Sequence, residues 1–341
     1  LCIRDRQIAE MALQKINLDR DTTRPISDFC KNQGWVLPST EINHIMPAGD
    51  GNMNTVKRAL LSNGTSLLLK QAFPFVKKYP SIPAPADRLQ QEAFFYAEVQ
   101  THQALKSRTP NLLGYDEHNK ILALEYIDDA EDFSFLWSDN HRSLTAEEKT
   151  KIVSWLSALH NIESDALDKY PNLEMRKLNH EHIFVIPLQK DNGVPLEGSL
   201  KKKAKHIREL NVVQKAAKDL GEIYLSDQML SVIHGDFHPG SWMRTKERGP
   251  VVIDPEFSFR GRGEFDLGIL EAHMFIKNQD LSEIREALQN YNKPSYFDDS
   301  LVSAFRSFEI IRRLLGVAQL PLTSDEDFKI DLLDFALDTL R

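Results

Sequence analysis

The stretch VIHGDFHPGSWMRTKERGPVVIDPEF, residues 232–257, carries the most informative pattern in the chain. A short apolar run leads into the tripeptide His-Gly-Asp at 234–236, and a second apolar run, VVI at 251–253, ends in two carboxylates, Asp254 and Glu256. Short apolar runs separated by glycine and polar residues are typical of strands joined by loops. The pattern therefore predicts an acid on a loop, followed by a strand that delivers two further acids.

This arrangement of three acids indicates a phosphoryl-transfer site. In such a site one loop acid, here Asp236, orients the attacking hydroxyl, and further carboxylates hold Mg²⁺ on the nucleotide phosphates. Asp254 and Glu256 are two residues apart, so on an extended segment their side chains would point the same way. Crowded carboxylates repel each other unless a cation lies between them, which favours Mg²⁺. The alternative is structural ion pairing with one of three arginines: Arg244, Arg260 or Arg262.

Two histidines flank the loop acid. His234 and His238 resemble a metal-binding pair, but a zinc site needs further His or Cys ligands, and the stretch holds none. We therefore expect His234 to hold the loop through hydrogen bonds with the backbone.

Outward from this stretch, the chain divides into a β-rich first part and a helical second part. Between residues 41 and 72 three apolar runs alternate with turns, and Ser-Asn-Gly at 62–64 is a strong hairpin signal. The segment 74–88, with four prolines, is expected to be an extended loop, and ILALEYI at 121–127 a strand. Helices are predicted at 5–17, 26–34, 89–105, 145–161, 206–225, 266–277, 281–291, 299–318 and 326–340.

The order of these elements predicts an α+β fold with two lobes. Residues 1–127 would form a small nucleotide-binding lobe with an antiparallel β-sheet and leading helices. Residues 128–341 would form a larger, mainly α-helical lobe that carries the catalytic and acceptor-binding groups.

Composition narrows the classes of partner. The net charge is −8 and the pI about 5.8, which disfavours nucleic acid. No apolar run approaches the roughly 18 residues of a membrane span, and the charged first residues show no signal peptide, so no membrane partner is expected. The two cysteines, Cys2 and Cys30, fit a reducing compartment, which predicts a cytoplasmic protein. The basic run 201–205 is interpreted as a solvated helix start. The sequence leaves open whether the protein forms a homodimer.

A turn and a lysine in the β-rich part suggest phosphate binding. The turn AGDGNMN, residues 48–54, contains glycines that let backbone N–H groups approach phosphate oxygens, although a plain hairpin turn is the alternative. Lys70 ends an apolar strand one hairpin after this turn, which is a position typical of a lysine that pairs with nucleotide phosphates. The alternative is a lysine that protects the exposed edge of a sheet. Glu92 is its expected partner, with Glu98 as the second candidate.

An apolar stripe of helical period runs along the late helix, and Arg312 falls on it. The stripe consists of Leu301, Phe305, Phe308, Ile311 and Leu315. An inward-facing guanidinium must be paired with anions or hydroxyls. Spacing alone leaves two interpretations equally open: contact with substrate or phosphate, and a buried salt bridge to a structural carboxylate.

Together, these motifs resemble those of the protein-kinase-like small-molecule phosphotransferases, which include aminoglycoside phosphotransferases, choline kinases and methylthioribose kinases. Most of that superfamily has Asn in place of Ser241 and a single Asp in place of Asp-Pro-Glu. The methylthioribose kinases are more similar to this chain, from about residue 40 to residue 318. The shared motifs are GDGN at 49–52, KQA at 70–72, NLEMRKLN at 172–179, HGD at 234–236, Gly-Ser at 240–241, DPEF at 254–257 and IRR at 311–313.

The resemblance implies a bilobal protein-kinase-like fold and ATP-dependent phosphorylation of the 1-hydroxyl of S-methyl-5-thioribose, a step of methionine salvage. Asp236 would be the catalytic residue. The implied metal ligands are Asp254, Glu256 and, more weakly, Ser241. The implied acceptor contacts are Asp236, His238, Arg312 and Arg313. The implied ATP contacts are Gly49, Asp50, Gly51, Asn52, Asn54, Lys70, Glu92, Glu125, Tyr126 and Ile127, with 125–127 bonding the adenine through the backbone.

Two other functions stay open. One is a kinase of the same fold for another small alcohol, sugar or aminoglycoside, although the arginines at 312–313 point away from a polycationic acceptor. The other is a non-catalytic nucleotide-binding relative, suggested by Ser241. The retained acids Asp236, Asp254 and Glu256, together with Lys70, argue against it.

Overall fold

The computed structural model describes residues 15–341 except 50, 52, 140, 164–170, 229 and 279, and it omits the side chain of Glu283. The chain forms two compact units. The first contains residues up to 101 together with 109–128, and the second contains 102–108 together with 129–341.

The first unit is built on a five-stranded antiparallel sheet with the strand order β1-β2-β3-β7-β6. Its strands are β1 (Ile42–Pro47), β2 (Thr55–Leu61), β3 (Ser66–Gln71), β6 (Leu112–Asp116) and β7 (Ile121–Glu125). The predicted hairpin at 62–64 is confirmed: Gly64 has a φ of +86°, and the N–H of Leu61 bonds the carbonyl of Thr65 at 2.8 Å. A positive φ is a conformation that glycine adopts at little cost.

A helix covers one face of this sheet. Helix α1 (Thr23–Asn32) packs Ile26 and Phe29 against Leu67 and Leu69 of β3, which point to the same side because strand side chains alternate. The helix was predicted at 26–34 but begins three residues earlier, at Thr23. Pro25 lies in its first turn, where the missing N–H of a proline costs no intrahelical hydrogen bond.

Three predictions for the first unit need correction. The predicted helix 5–17 lies mostly outside the described residues, and 15–17 are not helical. The segment 74–88 is not a plain loop, because β4 (Phe75–Val76) and β5 (Tyr79–Pro83) pair in it as a small two-stranded sheet, where prolines are tolerated at an edge. The predicted helix 89–105 is two helices, α2 (Arg88–Val99) and α3 (Gln103–Lys106).

The second unit is mainly helical. Its helices are α4 (Phe135–Ser138), α5 (Ala146–His160), α6 (Leu173–His180), α7 (Gly198–Glu209), α8 (Asn211–Leu225), α9 (Gly263–Asn278), α10 (Ser282–Leu288), α11 (Asp299–Leu315) and α12 (Glu326–Leu340). The predicted helix 206–225 is divided at Leu210, whose ψ of 116° is extended. The basic run 201–205 lies on α7, where Lys201 and Lys202 are exposed and Ala204 is buried. The interpretation of this run as a solvated helix start is confirmed.

Two small antiparallel sheets carry the opening stretch. Strand β9 (Ser231–Ile233) pairs with β12 (Phe259–Gly261), while β10 (Trp242–Thr245) lies between β11 (Gly249–Val252) and β8 (Glu131–Asp132). The loop that carries Asp236 therefore follows β9, and the turn that carries Asp254 and Glu256, called the acidic turn below, follows β11. Both strands belong to the second unit. Among the described residues, no helix combines the length and the apolar character that a membrane crossing requires.

Candidate active site

The loop that carries Asp236 is held in a fixed shape by a buried carboxylate of α9. Asp266 accepts hydrogen bonds from the backbone N–H groups of His234 at 2.6 Å and of Gly235 at 2.9 Å. Gly235 has a φ of +83°, and a Cβ atom there would lie 2.2 Å from the carbonyl oxygen of Phe257. Only glycine fits both the left-handed backbone and this close approach.

His234 connects this loop to the acidic turn. Its Nε2 bonds the carbonyl of Ile253 at 2.9 Å, and its Nδ1 accepts the N–H of Asp236 at 3.3 Å. Burial lowers the pKa of His234, so the ring is neutral and matches these two contacts with one donor and one acceptor. The prediction that His234 holds the loop through the backbone is confirmed.

Asp236 lies among three cationic or donor side chains yet remains accessible. Its side chain is 23% exposed, and its two oxygens have different partners. Oδ2 lies 3.1 Å from Nε2 of His238, while Oδ1 lies 3.1 Å from Arg312 and 3.7 Å from Arg313. Burial alone would raise the pKa of Asp236, but His238 and the two guanidiniums hold it well below its usual range. Asp236 is therefore ionised near neutral pH.

The ring of His238 is oriented by the backbone of its own loop. Its Nδ1 accepts the N–H of Gly240 at 2.9 Å, so the ring proton lies on Nε2 and points at Asp236. The ring also lies beside the indole of Trp137, with 5.6 Å between ring centroids.

Arg312 and Arg313 are both buried and share one carboxylate, Glu309 of the same helix. Nε of Arg312 donates to Oε2 of Glu309 at 2.5 Å, and Nε of Arg313 donates to Oε1 at 2.7 Å. Of the two interpretations that spacing left open for Arg312, the structure shows the buried salt bridge, to Glu309 and also to Asp236, while contact with substrate or phosphate stays a prediction. Among the described residues, Nη2 of Arg313 has no hydrogen-bond partner although it is buried.

Further residues of this network were not predicted. The missed residues are Trp137, Asn172, Asn179, Asp266, His273 and Glu309. Glu309 had a usable signal, because residues three and four apart lie together on a helix and both arginines follow it at that spacing. The others contact partners 31 to 136 residues away, as in the bond from Trp137 to His273. Asn172 and Asn179 also had a signal, since they begin and end the NLEMRKLN motif, but no local pattern indicated their contacts or the roles of Trp137, Asp266 and His273.

The segment NLEMRKLN, residues 172–179, had no role assigned from the sequence, and it connects the loop of Asp236 with the turn of Asp254 and Glu256. Nδ2 of Asn172 donates to the carbonyls of Glu256 and Ser258 at 2.9 Å each. One end of α6 thus holds the acidic turn. At the other end, Nδ2 of Asn179 donates to the carbonyl of Gly235 at 3.2 Å, and its Oδ1 accepts from Arg312 at 3.4 Å.

The two acids of the turn do not follow strand geometry, so that prediction is wrong. Strand β11 ends at Val252, and Asp254 has a φ of +59°, which lies in the left-handed region. The N–H of Ser258 then bonds the carbonyl of Pro255 at 2.9 Å and closes a turn. Side-chain alternation therefore does not apply to Asp254 and Glu256. Strained backbone of this kind is often found at functional sites.

Ser241 has a structural contact in this loop. Its buried hydroxyl donates to the carbonyl of Asp236 at 2.8 Å, and its own carbonyl accepts the N–H of Ile253 at 2.9 Å. The residue thereby joins the catalytic loop to the start of the acidic turn. Among the described residues, no cluster of three or more His, Cys, Asp or Glu side chains could hold a metal ion.

In the first unit, Lys70 pairs with Glu92, the expected partner. The Nζ of Lys70 lies 2.7 Å from Oε1 of Glu92, and both side chains are buried, with exposed fractions of 6% and 0%. Lys70 stands on the inner strand β3, between β2 and β7, so it is not an edge lysine.

The glycine turn is only partly described, because Asp50 and Asn52 lie outside the described residues. Gly49 has a φ of +76°, and a Cβ atom on Gly51 would lie 3.1 Å from Val56. Asn54 is buried, and its Oδ1 accepts from Nε of Arg88 at 2.8 Å. Its amide therefore anchors the end of the turn to α2.

The end of β7 is tied to its neighbours. The N–H of Glu125 bonds the carbonyl of Asn111 at 2.8 Å, and the guanidinium of Arg58 lies 4.3 Å from the ring centre of Tyr126. Ile127, directly after the strand, is half-buried. The strand end is thereby fixed where the sequence predicted adenine contacts.

Comparison with known protein families identifies the family of this chain. The profile described as "Phosphotransferase enzyme family" matches residues 44–299, three quarters of the chain. The chain belongs to this phosphotransferase family. The matched range includes the glycine turn, Lys70, Asp236 and the acidic turn, and it ends at the start of α11.

Individual proteins similar to this chain include methylthioribose kinases. Methylthioribose kinase 1 of Oryza sativa subsp. japonica is 28% identical over 247 residues, which cover 68% of this chain and 56% of the rice protein. The chain thus spans little more than half the length of that relative. Methylthioribose kinase of Bacillus velezensis is 25% identical over 332 residues, covering 85% of this chain and 83% of the bacterial protein.

Solved structures with a similar fold are also phosphotransferases. Choline kinase LicA from Streptococcus pneumoniae gives a TM-score of 0.52 at 17% identity, covering 93% of this chain and 98% of LicA. Spectinomycin phosphotransferase, in complex with ADP and spectinomycin, gives 0.53 at 13% identity, covering 94% and 99%. The predicted α+β fold of the protein-kinase-like phosphotransferases is confirmed.

Proposed function

We propose that this protein is an ATP-dependent small-molecule kinase that phosphorylates the 1-hydroxyl of S-methyl-5-thioribose. The observation that carries the proposal is the accessible Asp236 carboxylate beside Arg312 and Arg313, in a chain whose relatives are named methylthioribose kinases.

Asp236 would orient the acceptor hydroxyl. Because neighbouring cations hold its pKa well below the usual range, the carboxylate is a weak base and a permanent hydrogen-bond acceptor. A loose phosphoryl-transfer transition state needs little proton abstraction before the bond to phosphorus forms, so positioning matters more than basicity. Its 23% exposure leaves room for a hydroxyl to approach.

The donors around Asp236 would bind the oxygens of the acceptor and of the transferred group. The buried Nη2 of Arg313, which lacks a hydrogen-bond partner among the described residues, would gain one from an incoming oxygen. Arg312 would spread negative charge that develops on the phosphoryl group. His238 presents an N–H toward Asp236 and would help to fix the direction in which that carboxylate points.

The charges of this network balance. Two carboxylates, Asp236 and Glu309, face two guanidiniums, Arg312 and Arg313. A neutral polyol suits such a site better than a polycationic aminoglycoside, which would favour an excess of acids. The charge balance therefore favours a sugar acceptor among kinases of this fold.

The first unit would bind the nucleotide. Lys70, held extended by Glu92, would contact the phosphates, and the turn at 48–54 would approach them with backbone N–H groups. Asn54 would act by anchoring that turn through Arg88. The backbone at 125–127 would bond the adenine.

The acidic turn suits a hard cation. Asp254 and Glu256 supply only oxygen ligands, on a turn fixed at Ile253 by His234 and at Glu256 and Ser258 by Asn172. Mg²⁺ is commonly held by one or two carboxylates together with nucleotide phosphates and water, so a cluster of three acids is not required. When bound, the ion would offset charge on those phosphates. Ser241 would contribute by joining this turn to the catalytic loop.

The proposal is tested by ADP release with MgATP and a panel of acceptors. S-methyl-5-thioribose should support the highest kcat/KM, with ribose, choline and an aminoglycoside as comparison acceptors. Phosphorus NMR should show a product phosphate on the anomeric carbon. A higher kcat/KM with choline or the aminoglycoside would contradict the thiosugar assignment. Binding of ATP without turnover on any acceptor would favour a non-catalytic relative.

A further inference from the structure

Glu309 is a buried carboxylate that receives several donors, whereas Asp236 is partly exposed. The residue is 1% exposed, on α11. Its Oε2 accepts from Nε of Arg312, and its Oε1 accepts from Nε of Arg313 and from Nε2 of His273 at 3.0 Å. Nη2 of Arg312 also donates to Oε1, at 3.3 Å. Two oxygens thus receive four donors.

Arg312 bridges two carboxylates. Its Nε faces Glu309, while its Nη2 lies 3.1 Å from Asp236. A guanidinium is shared between two anions only while both are charged, because the stronger partner otherwise draws it closer. Without the charge of Glu309, Arg312 would move toward Asp236 and occupy the lone pairs that an acceptor hydroxyl needs.

His273 restricts which side chains can replace Glu309. Its Nδ1 accepts the indole N–H of Trp137 at 3.0 Å, so its only ring proton lies on Nε2 and points at Glu309. If the ring proton of His273 moved to Nδ1, that N–H would face the indole N–H of Trp137, and two donors would oppose each other. The proton therefore stays on Nε2, and an amide at position 309 would place its own N–H group against the donors that now bond Glu309.

We propose that Glu309 is a positioning residue for phosphoryl transfer, which holds both guanidiniums in place and prevents Arg312 from neutralising Asp236. This inference rests on the proposed kinase function. It concerns acceptor use and not nucleotide binding, because every contact of Glu309 described above leads to the arginines or to His273.

The test compares Glu309→Gln and Glu309→Asp with the wild-type enzyme in steady-state kinetics. Glu309→Gln should lower kcat/KM for the acceptor about 100-fold, as expected for a misplaced catalytic constellation, with the KM for ATP unchanged within about twofold. Glu309→Asp keeps the charge but withdraws the carboxylate, so its loss should be smaller, about tenfold. Wild-type kcat/KM in either folded variant would overturn the inference.

Glu271→Gln is the matched control. It breaks another ion pair between α9 and α11, that of Glu271 with Arg306 at 2.7 Å, and should lower thermal stability while leaving kcat/KM unchanged. If Glu309→Gln does not fold, Glu309→Asp decides. An equal loss of kcat/KM in Glu271→Gln would mean that Glu309 acts only through stability.

A second readout separates this inference from the proposed function. In protein labelled with ¹⁵N-arginine, the Nε–H groups of Arg312 and Arg313 should exchange slowly with solvent in the wild type and quickly in Glu309→Gln. If the wild type phosphorylates no acceptor, the proposed function fails, and this exchange still decides whether Glu309 holds the two guanidiniums in place. Unchanged exchange in Glu309→Gln would overturn it.

Discussion

At the scale of single residues, the site depends on a few positions where only one chemistry fits. Gly235 is one, because its backbone is left-handed and its missing Cβ leaves space for the carbonyl of Phe257. Asp236 is another, because it combines exposure with a strongly lowered pKa. The sequence predicted Asp236 from the His-Gly-Asp tripeptide together with the apolar runs and the acids that follow it, but it assigned no role to Gly235.

Gly235→Ala should be far more destabilising than an ordinary glycine replacement. The left-handed backbone costs alanine about 1 kcal/mol, and the contact with Phe257 adds a clash that backbone must relieve. The control is Gly193→Ala, because Gly193 has a similar φ of +74° and a Cβ atom added there would meet nothing within 4 Å. Urea unfolding should give a lower midpoint for Gly235→Ala than for Gly193→Ala. Equal midpoints would contradict the close approach.

The buried His273 predicts a pH dependence of stability. Burial lowers its pKa to about 3 from 6.5, so below pH 6.5 the unfolded chain binds a proton that the folded chain does not. The free energy of unfolding should therefore fall as the pH falls from about 6.5 toward 3, by at most about 1.4 kcal/mol per pH unit from this group.

His273→Gln should flatten that dependence, because glutamine does not titrate and can still donate to Glu309 and accept from Trp137. The measurement is urea unfolding at a series of pH values between 4 and 7. His206→Gln, on an exposed part of α7, controls for the loss of a histidine. The same slope in His273→Gln as in the wild type would contradict the account.

At the scale of elements, strands and helices with strong periodicity were predicted well, and interruptions were not. The hairpin β2–β3 and helices α5, α11 and α12 lie close to their predicted ranges. The break between α7 and α8 was not predicted, and the turn after β11 depends on tertiary contacts. Asn172 and His234 hold that turn from distant parts of the chain, so strand alternation gave the wrong geometry for Asp254 and Glu256.

The pairing of β3 with α2 predicts different roles for two glutamates of one helix. Glu92→Gln removes the partner of buried Lys70 and should weaken ATP binding about tenfold, equivalent to about 1.4 kcal/mol. Glu98→Gln, on the same helix, should leave ATP binding near the wild-type value. Isothermal titration with MgATP makes the comparison. Equal dissociation constants for the two variants would contradict the role of Glu92.

At the scale of the whole molecule, the order of β-rich and helical parts predicted the fold class, and the family match and solved structures agree with it. The sequence did not predict that residues 102–108 group with the second unit. Their contacts are long-range: the indole of Trp155 donates to the carbonyl of Leu105 at 3.3 Å, and Val252 donates to that of Arg108 at 2.8 Å. Such contacts leave no periodic signal.

The central claim is that Asp236 directs an acceptor hydroxyl in an ATP-dependent kinase. The most direct measurement is ADP release by Asp236→Asn with MgATP and S-methyl-5-thioribose, beside the wild type. We expect kcat to fall at least about 100-fold, because the amide cannot provide the same charged acceptor, while the affinity for ATP stays unchanged. Wild-type turnover by Asp236→Asn would contradict the account.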